Sequence, residues 1–125
     1  MYFSDHEDKE NKIINLARDY LDLNYRENTT LKQLVQMCGL DMFHLVRLFH
    51  QKVGMPPHAY LNQVRVERAK KMLKSGNYTI GQVAAETGFV DQSHLTRQFK
   101  RIVGMTPGQY LQNCKNVQDI ETERC

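Results

Sequence analysis

The sequence predicts an all-α fold in which two helix-turn-helix units are joined by a long linker helix. Three observations lead to this prediction. The 125-residue chain contains an internal repeat, and each copy carries the start and stop signals of two short helices. Apolar residues between these signals recur at helical spacing, and no segment shows the alternation that is typical of a strand.

The internal repeat relates the two halves of the chain. Residues 30–39 align with residues 79–88 at an offset of 49, and after one inserted residue the match resumes at an offset of 50. In that second register three more segments align with their counterparts: residues 45–49 with 95–99, 53–57 with 103–107, and 60–61 with 110–111. Coincidences this numerous in one register indicate a duplicated unit.

The first helix of each unit is expected to begin at a threonine and to end at a glycine. Thr30 and Thr79 are good N-caps, and a glutamine three residues later completes a capping box in both units. The helices then stop at Gly39 and Gly88, because glycine readily takes the left-handed conformation of a C-terminal cap.

The second helix of each unit follows after a short turn. Asp41 and Asp91 are the predicted N-caps, and the helices are expected to run to about Lys52 and Ile102. Their apolar stripes, which should face the core, consist of Leu45, Leu48, Phe49, Leu95, Phe99 and Ile102. A glycine-centred turn between two helices of this size is the helix-turn-helix signature.

Three further helices surround the two units. An opening helix is predicted over about residues 10–23, and Pro57 and Pro107 occupy first helical positions. The helix from Pro57 should run to about Lys74 and the last helix to about Cys114. The predicted organisation is a frayed N-terminus (1–9), a first unit (10–56), a linker helix (57–74), a second unit (75–114) and a flexible acidic tail (115–125).

Charge is distributed unevenly along the chain, although the net charge is only +3. Residues 29–115 hold twelve lysines and arginines against four acidic residues, whereas both ends are acidic. A basic centre suits a protein that binds a polyanion. The acidic N-terminus does not resemble a signal peptide and no apolar run is long enough for a membrane span, so a cytoplasmic, nucleoid-associated protein is expected.

Two other classes of function compete with DNA binding. An enzyme is disfavoured, because the sequence shows no nucleophile–base pair and no phosphate-binding loop. The three cysteines are far apart and the histidines lack metal-binding spacing, so we expect no metal site and no cofactor. A helical module that binds only another protein is a second alternative, but such a module would not need two basic faces in the same register.

The face of each second helix that the core does not use can be read from the same spacing. It suggests contacts to base edges in a DNA major groove, from Phe43, Val46, Arg47, Gln92, Ser93 and Arg97. Contacts to the DNA backbone are expected from Thr30, His50, Lys52, Thr79, Thr96 and Lys100. For Phe43 and Val46 core packing is a rival interpretation, and the arginines could be ordinary surface charges.

The second unit resembles the AraC/XylS family of bacterial transcription regulators. Residues 80–110 hold an alanine-bearing helix, a Gly-Phe turn, Ser-His-Leu, Arg-x-Phe-Lys and Gly-x-Thr-Pro-x-x-Tyr, and residues 65–73 are similar to the family's linker helix. The resemblance covers about residues 13–113. It implies seven helices in two lobes that bind an asymmetric double-stranded DNA site as a monomeric unit, with base contacts from the six positions named above. The first unit departs from the commoner pattern through the apolar Val46.

The same resemblance carries expectations about partners. It implies regulation of transcription, with activation the more expected direction, and contact with RNA polymerase. Most members carry a further ligand-sensing domain, usually N-terminal, and residues 1–10 are too short to be one. The chain is therefore either a stand-alone regulator or the DNA-binding part of a longer one, and the segment from Pro56 to Tyr60 favours the second.

Overall fold

Seven α-helices are present in the computed structural model, which describes the backbone of residues 2–117 and the side chains of residues 7–114. No strand occurs within these limits. In chain order the helices are α1 (Tyr2–Leu23), α2 (Leu31–Cys38), α3 (Met42–Val53), α4 (Pro57–Ser75), α5 (Ile80–Glu86), α6 (Gln92–Val103) and α7 (Pro107–Val117). The predicted all-α fold with seven helices is confirmed.

The chain divides into two compact units, Met1–Leu61 and Asn62–Cys125. The boundary falls inside α4, one turn after its first residue. Residues 57–74, which the sequence suggested as a separate linker, are therefore shared: Leu61 packs into the first core, and Val66, Ala69 and Leu73 pack into the second.

The helix starts follow from capping groups as predicted. The Thr30 hydroxyl accepts from the backbone N–H of Gln33 at 3.2 Å, and the Thr30 N–H donates to the Gln33 side chain at 2.8 Å. The same capping box recurs at Thr79. The Asp41 and Asp91 carboxylates cap the second helices, and α4 and α7 begin at their prolines.

The helix ends follow the glycines with one exception. Gly39 caps α2 in the left-handed conformation at φ 73°. In the second unit α5 ends at Thr87, whose φ of −105° is not left-handed, and Gly88 takes the left-handed conformation one residue later. The buried Thr87 hydroxyl donates to the Val83 carbonyl at 2.6 Å, so a side chain satisfies a helix-terminal carbonyl there.

The opening helix is longer than predicted. It begins at Tyr2 instead of about residue 10, so the predicted frayed segment 1–9 is helical from its second residue. Nothing in these residues stops a helix, because they include no proline or glycine, and acidic residues near a helix N-terminus favour its dipole. The last helix extends to Val117, so residues 115–117 of the predicted tail (115–125) are helical, and residues 118–125 lie outside the described residues.

Each unit has its own core. The first is built on Leu34, Leu45, Leu48 and Phe49 from the helix pair, closed by α1. The second has the corresponding helices α5 and α6, closed by α4 and α7.

The duplication extends further than the sequence alignment. Three buried residues of α1, spaced i, i+3 and i+7, recur in α4 at an offset of 52 as the pairs Ile14 and Val66, Ala17 and Ala69, and Leu21 and Leu73. In both units this stripe is buried in one core cluster with residues of the two helices that follow it.

Candidate nucleic-acid interface

The outward side of α3 carries a set of side chains that we call the α3 outer face. The opposite side of the helix buries Leu45, Leu48 and Phe49 in the first core. Because successive helical positions turn by about 100°, the residues away from this stripe share one surface. The α3 outer face consists of Phe43, Val46, Arg47 and His50, together with Met42 at its edge, which precedes the buried Leu45 by three residues and is exposed in the first turn of the helix.

This face is apolar at one end and basic at the other. Phe43 is 80% exposed and Met42 is 46% exposed, while Val46 is half-buried. The rival interpretation, that Phe43 packs into the core, is therefore wrong. Arg47 and His50 are exposed beside these apolar residues.

The corresponding α6 outer face consists of Gln92, Ser93, Thr96, Arg97 and Lys100. Leu95 and Phe99 are buried on the other side of this helix. Four members of the face, all except Lys100, line a shallow surface concavity. The concavity offers an amide, two hydroxyls and a guanidinium, which are groups able to pair with the hydrogen-bonding edges of bases.

Local contacts orient the leading end of α6. The Thr96 hydroxyl donates to the Gln92 carbonyl at 2.9 Å. A Cβ placed on Gly81 would lie 3.6 Å from Oε1 of Gln92, so the amide of Gln92 lies against a helix surface that has no side chain. In the first unit Lys32 occupies the position of Gly81. The importance of Gly81 was not evident from the sequence, because the contact joins two different helices.

The residues suggested for DNA-backbone contact lie in several places. His50, Thr96 and Lys100 belong to the outer faces. Thr30 and Thr79 are exposed at the N-termini of α2 and α5, where each hydroxyl accepts from a backbone N–H and keeps its own proton to donate.

Lys52 is not brought together with the outer face. It follows Leu48 by four residues and Leu45 by seven, so it shares their side of α3 and is exposed only at the helix end. The sequence alone placed it with the other basic residues because it is close in the chain, whereas the helix turns it away.

A buried arginine supports the turn before α6. Arg65 on α4 is only 7% exposed, and its guanidinium lies 5.9 Å from the centre of the Phe89 ring. The Phe89 ring in turn meets the His94 ring edge to face, with ring centres 5.2 Å apart and ring planes at 89°. The Val90 N–H donates to Nδ1 of His94 at 3.4 Å. Burial lowers the pKa of Arg65.

This chain of contacts runs from α4 through the turn to the first turn of α6, so Arg65 helps to fix the start of the α6 outer face. Arg65 is not among the site residues predicted from the sequence. Its one local signal was a position between Val64 and Val66, where a charged side chain interrupts apolar residues.

An aromatic pair packs on the buried side of each helix that carries an outer face, α3 and α6. Phe49 meets Tyr60 edge to face at 5.7 Å and 69°, and Phe99 meets Tyr110 at 5.5 Å and 68°. The Tyr60 hydroxyl also donates to the Asp22 carboxylate at 2.7 Å.

Burial and this hydrogen bond raise the pKa of Tyr60, with Arg18 opposing the shift. The repetition of one packing geometry in both units explains why the two outer faces have the same register.

Metal binding, membrane insertion and thiol chemistry have structural requirements of their own. Among the residues that the structure describes, no cluster of three metal-binding side chains occurs. No described helix has the length and apolar character that crossing a bilayer would require. Cys38 is half-buried, with its Sγ 3.9 Å from the Ile13 carbonyl, and burial raises the pKa of its thiol.

Two helix-turn-helix units, each presenting an exposed helix with an arginine at the same position, define a tandem DNA-binding fold. Residues 34–113 match the family model described as a helix-turn-helix domain. The chain belongs to the AraC-type helix-turn-helix family of transcriptional regulators. The family resemblance noted from the sequence is thereby confirmed.

Similar proteins include two regulators of Bacillus subtilis (strain 168). The uncharacterized HTH-type transcriptional regulator YbfI is 40% identical over 80 residues, which are 64% of this chain and 29% of YbfI. The bifunctional transcriptional activator/DNA repair enzyme AdaA is 35% identical over 78 residues, which are 62% of this chain and 37% of AdaA. The match thus spans well under half of either relative.

A solved structure shares the fold across most of the chain. It is the DNA-binding domain of AdpA, a global transcriptional factor, in complex with a target DNA. The TM-score is 0.75 at 21% identity, and the match covers 90% of this chain and 97% of that one.

Proposed function

We propose that this chain binds double-stranded DNA in a sequence-specific manner by placing α3 and α6 in adjacent segments of the major groove, and thereby regulates transcription. The observation that carries the proposal is the duplicated outer face. Arg47 and Arg97 stand at the same position of two exposed helices whose opposite sides are buried in equivalent cores. An arginine so placed can donate two hydrogen bonds to O6 and N7 of guanine.

The remaining contacts follow from the position of each side chain. Base edges would be contacted by Phe43, Val46, Arg47, Gln92, Ser93 and Arg97. The DNA backbone would be contacted by Thr30, His50, Thr79, Thr96 and Lys100, and Lys52 is the weakest member of that predicted set because it lies on the other side of α3.

The proposal extends to partners and to the direction of regulation. AdaA is described as a transcriptional activator, which supports activation, and an activator acts through RNA polymerase. The relatives are much longer than the matched segment, which supports a longer regulator. That its further domain senses a ligand rests on the family resemblance alone. A protein that binds chromosomal DNA works in the cytoplasm at the nucleoid. We assign no catalysis to this segment.

Selection of bound duplexes from a random pool tests the proposal, with the 125-residue chain at moderate salt. Wild-type protein should recover two short sequence blocks in an asymmetric arrangement. Arg47→Ala should relax one block and Arg97→Ala the other, whereas Lys12→Ala on the exposed side of α1 should relax neither. A folded protein that enriches no sequence would refute sequence-specific binding and favour the protein-interaction alternative.

A further inference from the structure

The two outer faces can be compared position by position, because the aromatic pairs beneath them have the same geometry. Of the five positions, only the arginine is shared. The others pair, in order along the helices, Met42 with Gln92, Phe43 with Ser93, Val46 with Thr96, and His50 with Lys100. Three positions that are polar on α6 are therefore apolar on α3.

Two of these three apolar side chains are exposed at positions where a protein surface normally carries polar ones, and Val46 is half-buried. Phe43 is 80% exposed and Met42 is 46% exposed, and they are neighbours in the first turn of α3. Neither contributes to the first core. Phe43 and Val46, three residues apart, share one face and form an apolar patch there, which suits an apolar contact made outside this chain.

We infer that the α3 outer face reads the 5-methyl groups of thymine, whereas the α6 outer face reads the hydrogen-bonding edges of bases. The inference rests on the proposed function and names the chemistry of each half of its DNA site. In the major groove the thymine methyl is the one apolar group that a base pair presents. Arg47 then supplies the hydrogen bonds to one guanine beside an otherwise methyl-reading surface.

The inference also assigns Met42 a role in specificity. Met42 occupies the position of Gln92, at the leading end of the helix, and was absent from the residues that the sequence suggested for base contact. We call the block read by α3 the first block and the block read by α6 the second block. The first block should therefore be rich in thymine beside one guanine, and the second block should have a mixed base composition.

Replacing thymine by deoxyuridine tests this directly, because uracil has the same hydrogen-bonding edge and lacks only the methyl. One duplex from the random-pool selection is synthesised with uracil in the first block, in the second block or in neither. Dissociation constants are measured by fluorescence anisotropy at one salt concentration. Each contacted methyl that is lost from the first block should weaken binding about fourfold, since burial of one methylene-sized group is worth about that factor.

Variants separate methyl reading from general apolar character. Phe43→Ser, which copies the residue of the second unit, should reduce the uracil effect in the first block and leave the second block unchanged. Leu23→Ser is the matched control, because Leu23 is 81% exposed at the end of α1 and off the outer face. It should leave the uracil effect as in wild type. Circular dichroism of each variant verifies that it is folded.

The outcomes distinguish this inference from the function on which it rests. If the selection recovers no sequence, sequence-specific binding itself is refuted. If a site is recovered but uracil has no effect in the first block, or the same effect in both blocks, the assignment of methyl reading to α3 is wrong. If uracil has no effect in either block, the exposed Phe43 and Met42 would instead be assigned to contact with an apolar surface of a partner protein.

Discussion

Replacing Gln98 by leucine should stabilise the second unit. Gln98 lies on α6 and is half-buried, and its Oε1 is buried without a hydrogen-bond partner in the structure. The equivalent residue of the first unit is Leu48, which is 3% exposed and belongs to the first core. The repeat thus provides both the site and the natural replacement.

The size of the effect follows from the burial of this one oxygen. A buried polar atom that lacks a partner costs about 1–3 kcal/mol of folding free energy. Because Gln98 keeps part of its surface in solvent, the lower end applies, and Gln98→Leu should raise the free energy of unfolding by about 1 kcal/mol. For a domain of this size that corresponds to a rise of about 3–6 °C in the melting temperature.

Urea denaturation followed by circular dichroism at equilibrium measures this change. Leu48→Gln is the reciprocal control, since it introduces an unpartnered amide into a core position and should lower the unfolding free energy by about 2–3 kcal/mol. The reasoning is refuted if Gln98→Leu leaves the midpoint unchanged or lowers it. That result would mean that the Gln98 oxygen has a partner, such as a water molecule.

Three further predictions concern the site and its support. Arg97→Ala should weaken binding to the selected DNA by about 1–3 kcal/mol and relax one base position, and equal losses on specific and random DNA in a competition assay would show a phosphate contact instead. Arg65→Met should lower the unfolding free energy by about 1–2 kcal/mol through loss of the Phe89 contact, yet leave the salt dependence of DNA binding unchanged. A smaller slope of affinity against salt would place Arg65 at a phosphate. The raised pKa of Tyr60 means that the folded state favours its neutral form. Its contribution to the free energy of unfolding is therefore complete below pH 10.0, the ordinary pKa of tyrosine, and is lost as the pH rises through the raised pKa of the folded state. The urea midpoint should therefore fall more steeply above that pH in wild type than in Tyr60→Phe, and parallel curves would contradict this reasoning.

Local sequence signals were sufficient for most helix boundaries. Thr30, Asp41 and Pro57 each mark a helix start through a group that acts on its own neighbours, so no tertiary information was needed. The end of α5 departed from the pattern, because the Thr87 hydroxyl satisfies a carbonyl before Gly88 is reached. The start of α1 lies well before the predicted residue 10, because the acidic, polar segment ahead of that residue contains nothing that breaks a helix.

Contacts between helices could not be predicted in the same way. The Arg65 guanidinium meets Phe89 across 24 positions of the chain, and no local pattern encodes that pairing. The relation between α1 and α4 was also hidden, because only the buried stripe is repeated and the loops that follow differ in length. The outer faces themselves were accessible from spacing, since a buried stripe on a helix fixes the opposite side.

Chemical protection of guanine N7 by the bound protein tests the central claim most directly, because N7 lies in the major groove. Dimethyl sulfate is applied to the selected duplex with wild-type protein, Arg47→Ala and Arg97→Ala. The account predicts two protected guanine clusters about one helical turn, or about 10 base pairs, apart, each lost in one of the two variants. A single cluster, or two clusters that neither variant changes, would contradict the reading of DNA by α3 and α6 in tandem.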